Sequence, residues 1–222
     1  MTRSFVDAIP ERLVRLAKPL VFALCLVPLA LLVTGAVTDG LGANPVEAIT
    51  HTTGDWTLRL LLATLAMTPL KRLVGQPWPI RFRRMLGLFA FFYACLHVLT
   101  YAWIDQGLDW QGILEDVVKR PYITAGFAAF VLLVPLALTS TRAAMRRLGR
   151  RWQTLHRAIY GIAILGVLHY LWLVKADLRE PLIYALVLAV LLLARLGFGQ
   201  GAVGRWVAGL LAVPERDRGS SS

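Results

Sequence analysis

Apolar positions in this chain gather into six long runs, without the strict alternation of a half-buried strand. The runs cover Pro19–Val37, Trp56–Leu70, Met85–Ile104, Tyr122–Leu138, Trp152–Val174 and Leu182–Leu196. A bilayer core is spanned by about 20 helical residues, so this pattern predicts membrane-crossing helices. Trp56–Leu70 and Leu182–Leu196 are short for that and are expected to extend by a turn. In lipid the backbone has no water to bond, so helices are the form these runs must take. No Gly- or Ser-rich linker separates them. The expected organisation is an N-terminal segment 1–18, one six-helix domain 19–196 and a tail 197–222. No internal repeat is visible in the sequence. Met1–Lys18 is charged at both ends with no small-residue cleavage pattern, which predicts no cleaved leader.

Composition sharpens this picture. Of 222 residues, 57% are hydrophobic and 17% charged, against about 45–50% and about 25% in a soluble domain. A soluble domain and a disordered chain are both disfavoured. The net charge of +11 comes from 24 Lys+Arg against 13 Asp+Glu. These bases sit in short clusters between apolar runs, so they point to membrane topology and not to nucleic acid. With the N-terminus in the cytoplasm, eighteen of them fall on cytoplasmic segments. Five (Arg59, Lys119, Arg120, Lys175 and Arg179) fall on the other side, where nine of the acids also lie. The fold class expected is an all-α integral membrane protein, a six-transmembrane-helix bundle with both termini cytoplasmic. It is expected to be multi-pass, with membrane lipid as its surroundings.

The polar residues inside the apolar runs are the candidates for chemistry. No Asp or Glu lies in any of the six. Histidine does: His97 in the third run, His156 and His169 in the fifth, with His51 in the loop before the second. An ionisable group in hydrocarbon is costly and marks function by default, although a helix–helix hydrogen bond is the ordinary alternative. Helical rise puts His97 about 12 Å and His169 about 9 Å from the outer ends of their helices, which are matching depths. His156 lies about 20 Å further along the same helix, near the inner end. The two cysteines, Cys25 and Cys95, complete no zinc set. Two imidazoles from two helices suit haem, because the porphyrin supplies four nitrogens and the iron then needs only axial ligands. Two protein axial ligands leave no open position, which favours electron transfer over oxygen activation.

Several segments carry a resemblance: LGANPVEAITHTTGDW, LLATLAMTPL, RRMLGLFAFFYACLHVLTYA, KRPYITAG, LALTSTRAAMRRLGRRWQTLHRAIY, LHYLWLVKAD and PLIYA, spanning about Leu41 to Tyr184. Together they resemble the MsrQ family, haem-binding membrane subunits of bacterial periplasmic methionine sulfoxide reductase systems. That family belongs to the ferric-reductase-like transmembrane group, with the NADPH oxidases. The resemblance implies a six-helix bundle holding b-type haem and binding FMN. It implies electrons from the quinone pool or a cytoplasmic flavin reductase, passed to a periplasmic molybdenum enzyme of MsrP type that reduces methionine sulfoxide in oxidised proteins. His97 and His169 become the axial pair of the outer haem, and His156 matches a third family histidine. Larger relatives carry two histidines on each of the third and fifth helices and hold two haems; here Arg83 or Arg84 stands where the fourth would be. One haem is therefore expected, or two if His156 also binds iron. Those relatives also carry a C-terminal FAD/NADPH domain, so an external donor is expected here. Arg157, beside His156, is a candidate for a haem propionate or a cofactor phosphate, with simple snorkelling as the alternative.

The reading is a transmembrane electron carrier whose substrate chemistry belongs to a partner. Its rivals are a self-sufficient haem reductase of quinol, ferric iron or superoxide; a proton-coupled transporter with His97, His156 and His169 as a relay; and a membrane anchor for a periplasmic enzyme.

Overall fold

A computed structural model describes residues 11–195. Nine α-helices follow one another among the described residues: α1 Glu11–Val37, α2 Pro45–Val74, α3 Ile80–Leu99, α4 Trp110–Lys119, α5 Pro121–Leu138, α6 Arg142–Leu148, α7 Arg150–His156, α8 Ala158–Leu173 and α9 Arg179–Arg195. The described residues contain no strand. All six apolar runs lie in helices as far as they are described, apart from Arg157 and Val174 of the fifth; Leu196, the tail and residues 1–10 lie outside the described residues. Among the described residues, 12–37, 80–105 and 121–138 form three helices with the length and hydropathy to cross a membrane. The shorter α8 and α9 have 16 and 17 residues.

Three details differ from the sequence reading. His51 is not in a loop: α2 starts at Pro45, and His51 lies within its second turn. The helix starts early because Asn44 caps it, accepting the Glu47 N–H, and because Pro45 needs no partner at the first helical position. The third run does not end as a plain α-helix. Thr100–Asp105 continue α3 as a π-helical turn, which begins three residues after His97. The fifth run is broken at Arg157, between α7 and α8. The Tyr160 N–H bonds the Arg157 carbonyl there, a tighter turn that splits the run just after His156.

Two helix pairs make the body: α2 with α3, and α5 with α8. Their shared core includes Leu61, Leu65, Ala90, Tyr93, Ala129, Leu133, Ile162 and Ala163. Small residues such as Ala90 and Ala163, both fully buried, let the helix axes come close. The outside is apolar too. Leu182, Leu186, Val190 and Leu193 of α9 form an exposed stripe at helical spacing, and α1 exposes Leu16, Leu20, Leu24 and Leu31. Contiguous exposed surface of this kind on α1 and α9 is what a lipid-facing helix presents.

α1 packs on this body through Val14, Cys25 and the Phe22–Phe89 ring contact, and is tied to it by one hydroxyl. Pro28 has no N–H and disturbs the α1 hydrogen-bond ladder. The fully buried Tyr93 enters the gap beside it. Its hydroxyl donates to the Cys25 carbonyl at 2.7 Å and accepts the Leu29 N–H at 3.2 Å. One side chain thus bridges two groups that an uninterrupted helix would pair with each other. Tyr93→Phe leaves both without that partner. The expected cost is about 1–3 kcal/mol, read as a lower midpoint of thermal unfolding in detergent with helix content retained.

Candidate functional site: a facing histidine pair

α3 carries His97 and α8 carries His169, and their rings stand 6.1 Å apart between centroids with planes at 80°. The depth arithmetic paired these two residues, and the structure brings them together. His156 sits apart from them at the basic end, stacked on Trp152 at 3.9 Å.

Each ring of the pair is held in the same way. The Nδ1 of His97 lies 2.9 Å from the Thr50 carbonyl of α2, and the Nδ1 of His169 lies 2.7 Å from the Tyr122 carbonyl of α5. A carbonyl only accepts, so Nδ1 carries the proton in both rings and donates it. Nε2 is then the unprotonated nitrogen, with its lone pair free for a metal. This is the arrangement by which a backbone carbonyl fixes the tautomer and plane of a ligating histidine.

One turn beyond each carbonyl stands a glycine. A Cβ on Gly54 would meet His97 Cε1 at 3.1 Å and Nδ1 at 3.2 Å. A Cβ on Gly126 would meet His169 Nδ1 at 2.7 Å, Cε1 at 3.0 Å and Cγ at 3.1 Å. The Nδ1 edge of each ring therefore rests on a bare stretch of the neighbouring helix, and the Nε2 edge points away from it. Both histidines are 47 residues from their carbonyl. Thr50, Gly54 and His97 recur 72 positions later as Tyr122, Gly126 and His169. A two-helix unit is thus repeated, although the sequence shows no repeat. What recurs is one glycine, one histidine and a carbonyl that any residue can supply.

The residues fit an axial imidazole pair. With metal–nitrogen bonds of about 2 Å on each side, two ligating rings have centroids about 6 Å apart. Among the described residues no three His, Cys, Asp or Glu converge, so the two imidazoles need a centre that brings its other ligands with it.

Two tyrosines close to the histidines in sequence, Tyr101 and Tyr170, are committed elsewhere. The Tyr101 hydroxyl donates to Asp116 at 2.9 Å and that of Tyr170 to Glu180 at 2.9 Å. Both bonds tie helix ends to the acidic flank. Arg59 donates to the Tyr184 hydroxyl at 2.8 Å and pairs with Asp55 at 3.3 Å. His51 is exposed and lies 3.9 Å from Glu47.

At the basic end, His156 Nδ1 lies 3.1 Å from the Trp152 carbonyl, while its Nε2 is buried with no hydrogen-bond partner. Arg83 of α3 is near enough to act on it electrostatically, as is Arg195 on Arg83. Arg157 is exposed, and its side chain bonds no described residue. Sequence reasoning missed Gly54, Gly126, Tyr93 and the inward role of Arg195. The two glycines offered a signal, since each lies four residues after its carbonyl, but only the helix pairing gives that spacing meaning.

The family described as ferric reductase like transmembrane component matches residues 53–167, which contain His97 and His156 and end two residues before His169. The chain is also similar to curated proteins named protein-methionine-sulfoxide reductase heme-binding subunit MsrQ. That of Herminiimonas arsenicoxydans is 56% identical over 183 residues, covering 81% of this chain and 84% of the relative. That of Bordetella pertussis is 57% identical over 177 residues, covering 79% and 86%. That of Ralstonia nicotianae is 51% identical over 217 residues, covering 94% and 98%. No solved structure matches. Identity of 51–57% over more than three quarters of this chain and of each relative places the chain in the MsrQ family, within the ferric-reductase-like transmembrane group.

Proposed function

We propose that this protein carries electrons across the bacterial inner membrane through b-type haem, for a methionine sulfoxide reductase whose substrate chemistry lies in a periplasmic partner. The observation that carries the reading is the His97–His169 pair: two imidazoles on different helices, each with Nδ1 committed to a carbonyl and Nε2 left free. Haem bound between them supplies a one-electron couple. The chain's own residues do the rest. Thr50 and Tyr122 orient the rings, the apolar helices exclude water, and two ligated positions deny entry to oxygen.

The finer topology belongs to the same proposal. α1, α2, α3 with its π-turn, α5, α7–α8 and α9 make six spans, with residues 1–18 and 197–222 cytoplasmic. Support comes from the split of bases and acids between the two ends. Electrons enter at the basic end from the quinone pool or a cytoplasmic flavin reductase, with FMN as the flavin. They leave at the acidic end to a molybdenum reductase of MsrP type. His156, with a buried Nε2, is the residue that would hold a second haem at the basic end if the chain binds two, and Arg157 is the one that would face a propionate or a flavin phosphate.

The test is a reduced-minus-oxidised spectrum of detergent-purified protein, with haem quantified per chain. A b-type spectrum is expected, with one haem per chain from the His97–His169 site and a second if His156 also ligates. Protein expressed with ample haem and showing no Soret band would overturn the proposal.

A further inference from the structure

The two cradles do more than hold ligands; they fix the angle between them. A histidine ring can turn about its Cβ–Cγ bond. The Nδ1–H···O=C bond stops that turn, because the ring is then attached at two points. The Thr50 carbonyl sets one plane, the Tyr122 carbonyl sets the other, and the rings stand at 80°. Glycine at 54 and 126 is what lets each ring lie close enough to its helix to make the bond.

We propose that Gly54 and Gly126 are positioning residues that hold the axial imidazoles near-perpendicular, so that the ferric centre between them is a strongly anisotropic low-spin iron. This rests on the haem reading above. In low-spin ferric iron the unpaired electron occupies a pair of d orbitals that point along the axial-ligand π systems. Parallel rings act on one member of the pair and split it, giving a rhombic spectrum with three resolved lines. Perpendicular rings act on both equally, the pair stays nearly degenerate, and electron paramagnetic resonance shows one dominant feature at very low field.

The two glycines should differ in strength. At Gly126 an added Cβ comes to 2.7 Å from His169 Nδ1, closer than real contacts allow. The ring is tethered and cannot swing aside as a flexible chain end would, so it must tilt and weaken its bond to Tyr122. At Gly54 the nearest ring atom is at 3.1 Å, and a few tenths of an ångström of movement suffices. Gly87 provides the control, since its added Cβ would meet Thr64 at an ordinary 3.6 Å.

The experiment is low-temperature electron paramagnetic resonance on the air-oxidised, detergent-purified full chain, with haem per chain measured on each sample. The signal of this site is the part that His97→Ala removes. In the wild type that part is expected at very low field. Gly54→Ala should keep its haem and move the signal toward the rhombic form. Gly126→Ala should move it further or lose the site, and Gly87→Ala should leave it in place. A rhombic wild-type spectrum with bis-imidazole haem present would overturn this inference and leave the haem reading standing. So would a Gly54→Ala protein with full haem and an unmoved signal. A wild type with no haem signal removed by His97→Ala would overturn the haem reading itself. Should Gly126→Ala fail to fold, Gly54→Ala and the wild type still decide the matter.

Discussion

His169→Ala is expected to abolish the outer haem, with loss of its share of the reduced spectrum and of any electron transfer to an acceptor at the acidic end. The variant removes one of two axial nitrogens, and nothing on α8 replaces it. Tyr170 is turned to Glu180, and the described residues near the pair offer no third ligating cluster. Loss of a ligand in a dry site also leaves His97 with no metal to share, so the remaining half-site has little reason to retain a macrocycle. His156→Ala should behave differently. His156 stacks on Trp152 at the basic end, so the outer haem's spectrum should persist in that variant. The contrast is read from haem per chain and from reduced-minus-oxidised spectra of the two proteins. Full haem content in His169→Ala would exclude the pairing.

The second large effect is expected at Arg195. Its guanidinium donates to the Tyr160 hydroxyl at 2.5 Å, to the Leu65 carbonyl at 2.8 Å and to the Thr68 hydroxyl at 3.0 Å. It also lies 5.2 Å from the Tyr160 ring centroid. One side chain at the end of α9 therefore joins α9 to α2 and α8. α9 is also bonded by Arg59 at Tyr184, by Tyr170 at Glu180 and by Arg72 at the Ala194 carbonyl, but it buries only Pro181 and Leu188. Hydrogen bonds from a charged donor contribute about 1.5–3 kcal/mol each. Arg195→Leu should cost about 3 kcal/mol or more, with the three acceptors left to water or to nothing. The fall should appear as a lower thermal midpoint and as earlier proteolysis near α9. Arg195→Lys keeps the charge but presents a point, not a planar fork, to acceptors on two different helices. It should recover only part of the loss. Equal stability of Arg195→Leu and the wild type would show that α9 docks without this side chain.

Arg195 also shows how a residue's role can be hidden by composition. In the sequence it is one more base in a basic flank, and the excess of bases on one side explains it fully. Its inward aim depends on where α9 crosses α2 and α8, which no local pattern records. The histidines stand at the other extreme. Helical rise alone put His97 and His169 at one depth, because distance along a straight helix is local information. The same arithmetic separated His156, and the structure keeps it apart.

What the sequence determined by itself is that the six apolar runs lie in helices, the charge asymmetry along the chain, and the histidines that share a level; the short helices α4 and α6 lie outside those runs. Each follows from properties that neighbouring residues carry: apolar runs of bilayer length, the need of a backbone in lipid to bond to itself, and a fixed rise per residue. The early start of α2 was also written in Asn44 and Pro45, as an N-cap signal. What only the tertiary structure decided is how the helices are turned toward one another. A helix such as α8, apolar all round, has no polar face to reveal its rotation. The Thr50 and Tyr122 carbonyls are backbone atoms with no residue signature. Gly54 and Gly126 matter only once a ring lies against them, and the Tyr93 hydroxyl only once α1 lies across it. These contacts depend on register and crossing geometry between segments far apart in the chain, set by close packing of the whole bundle at once.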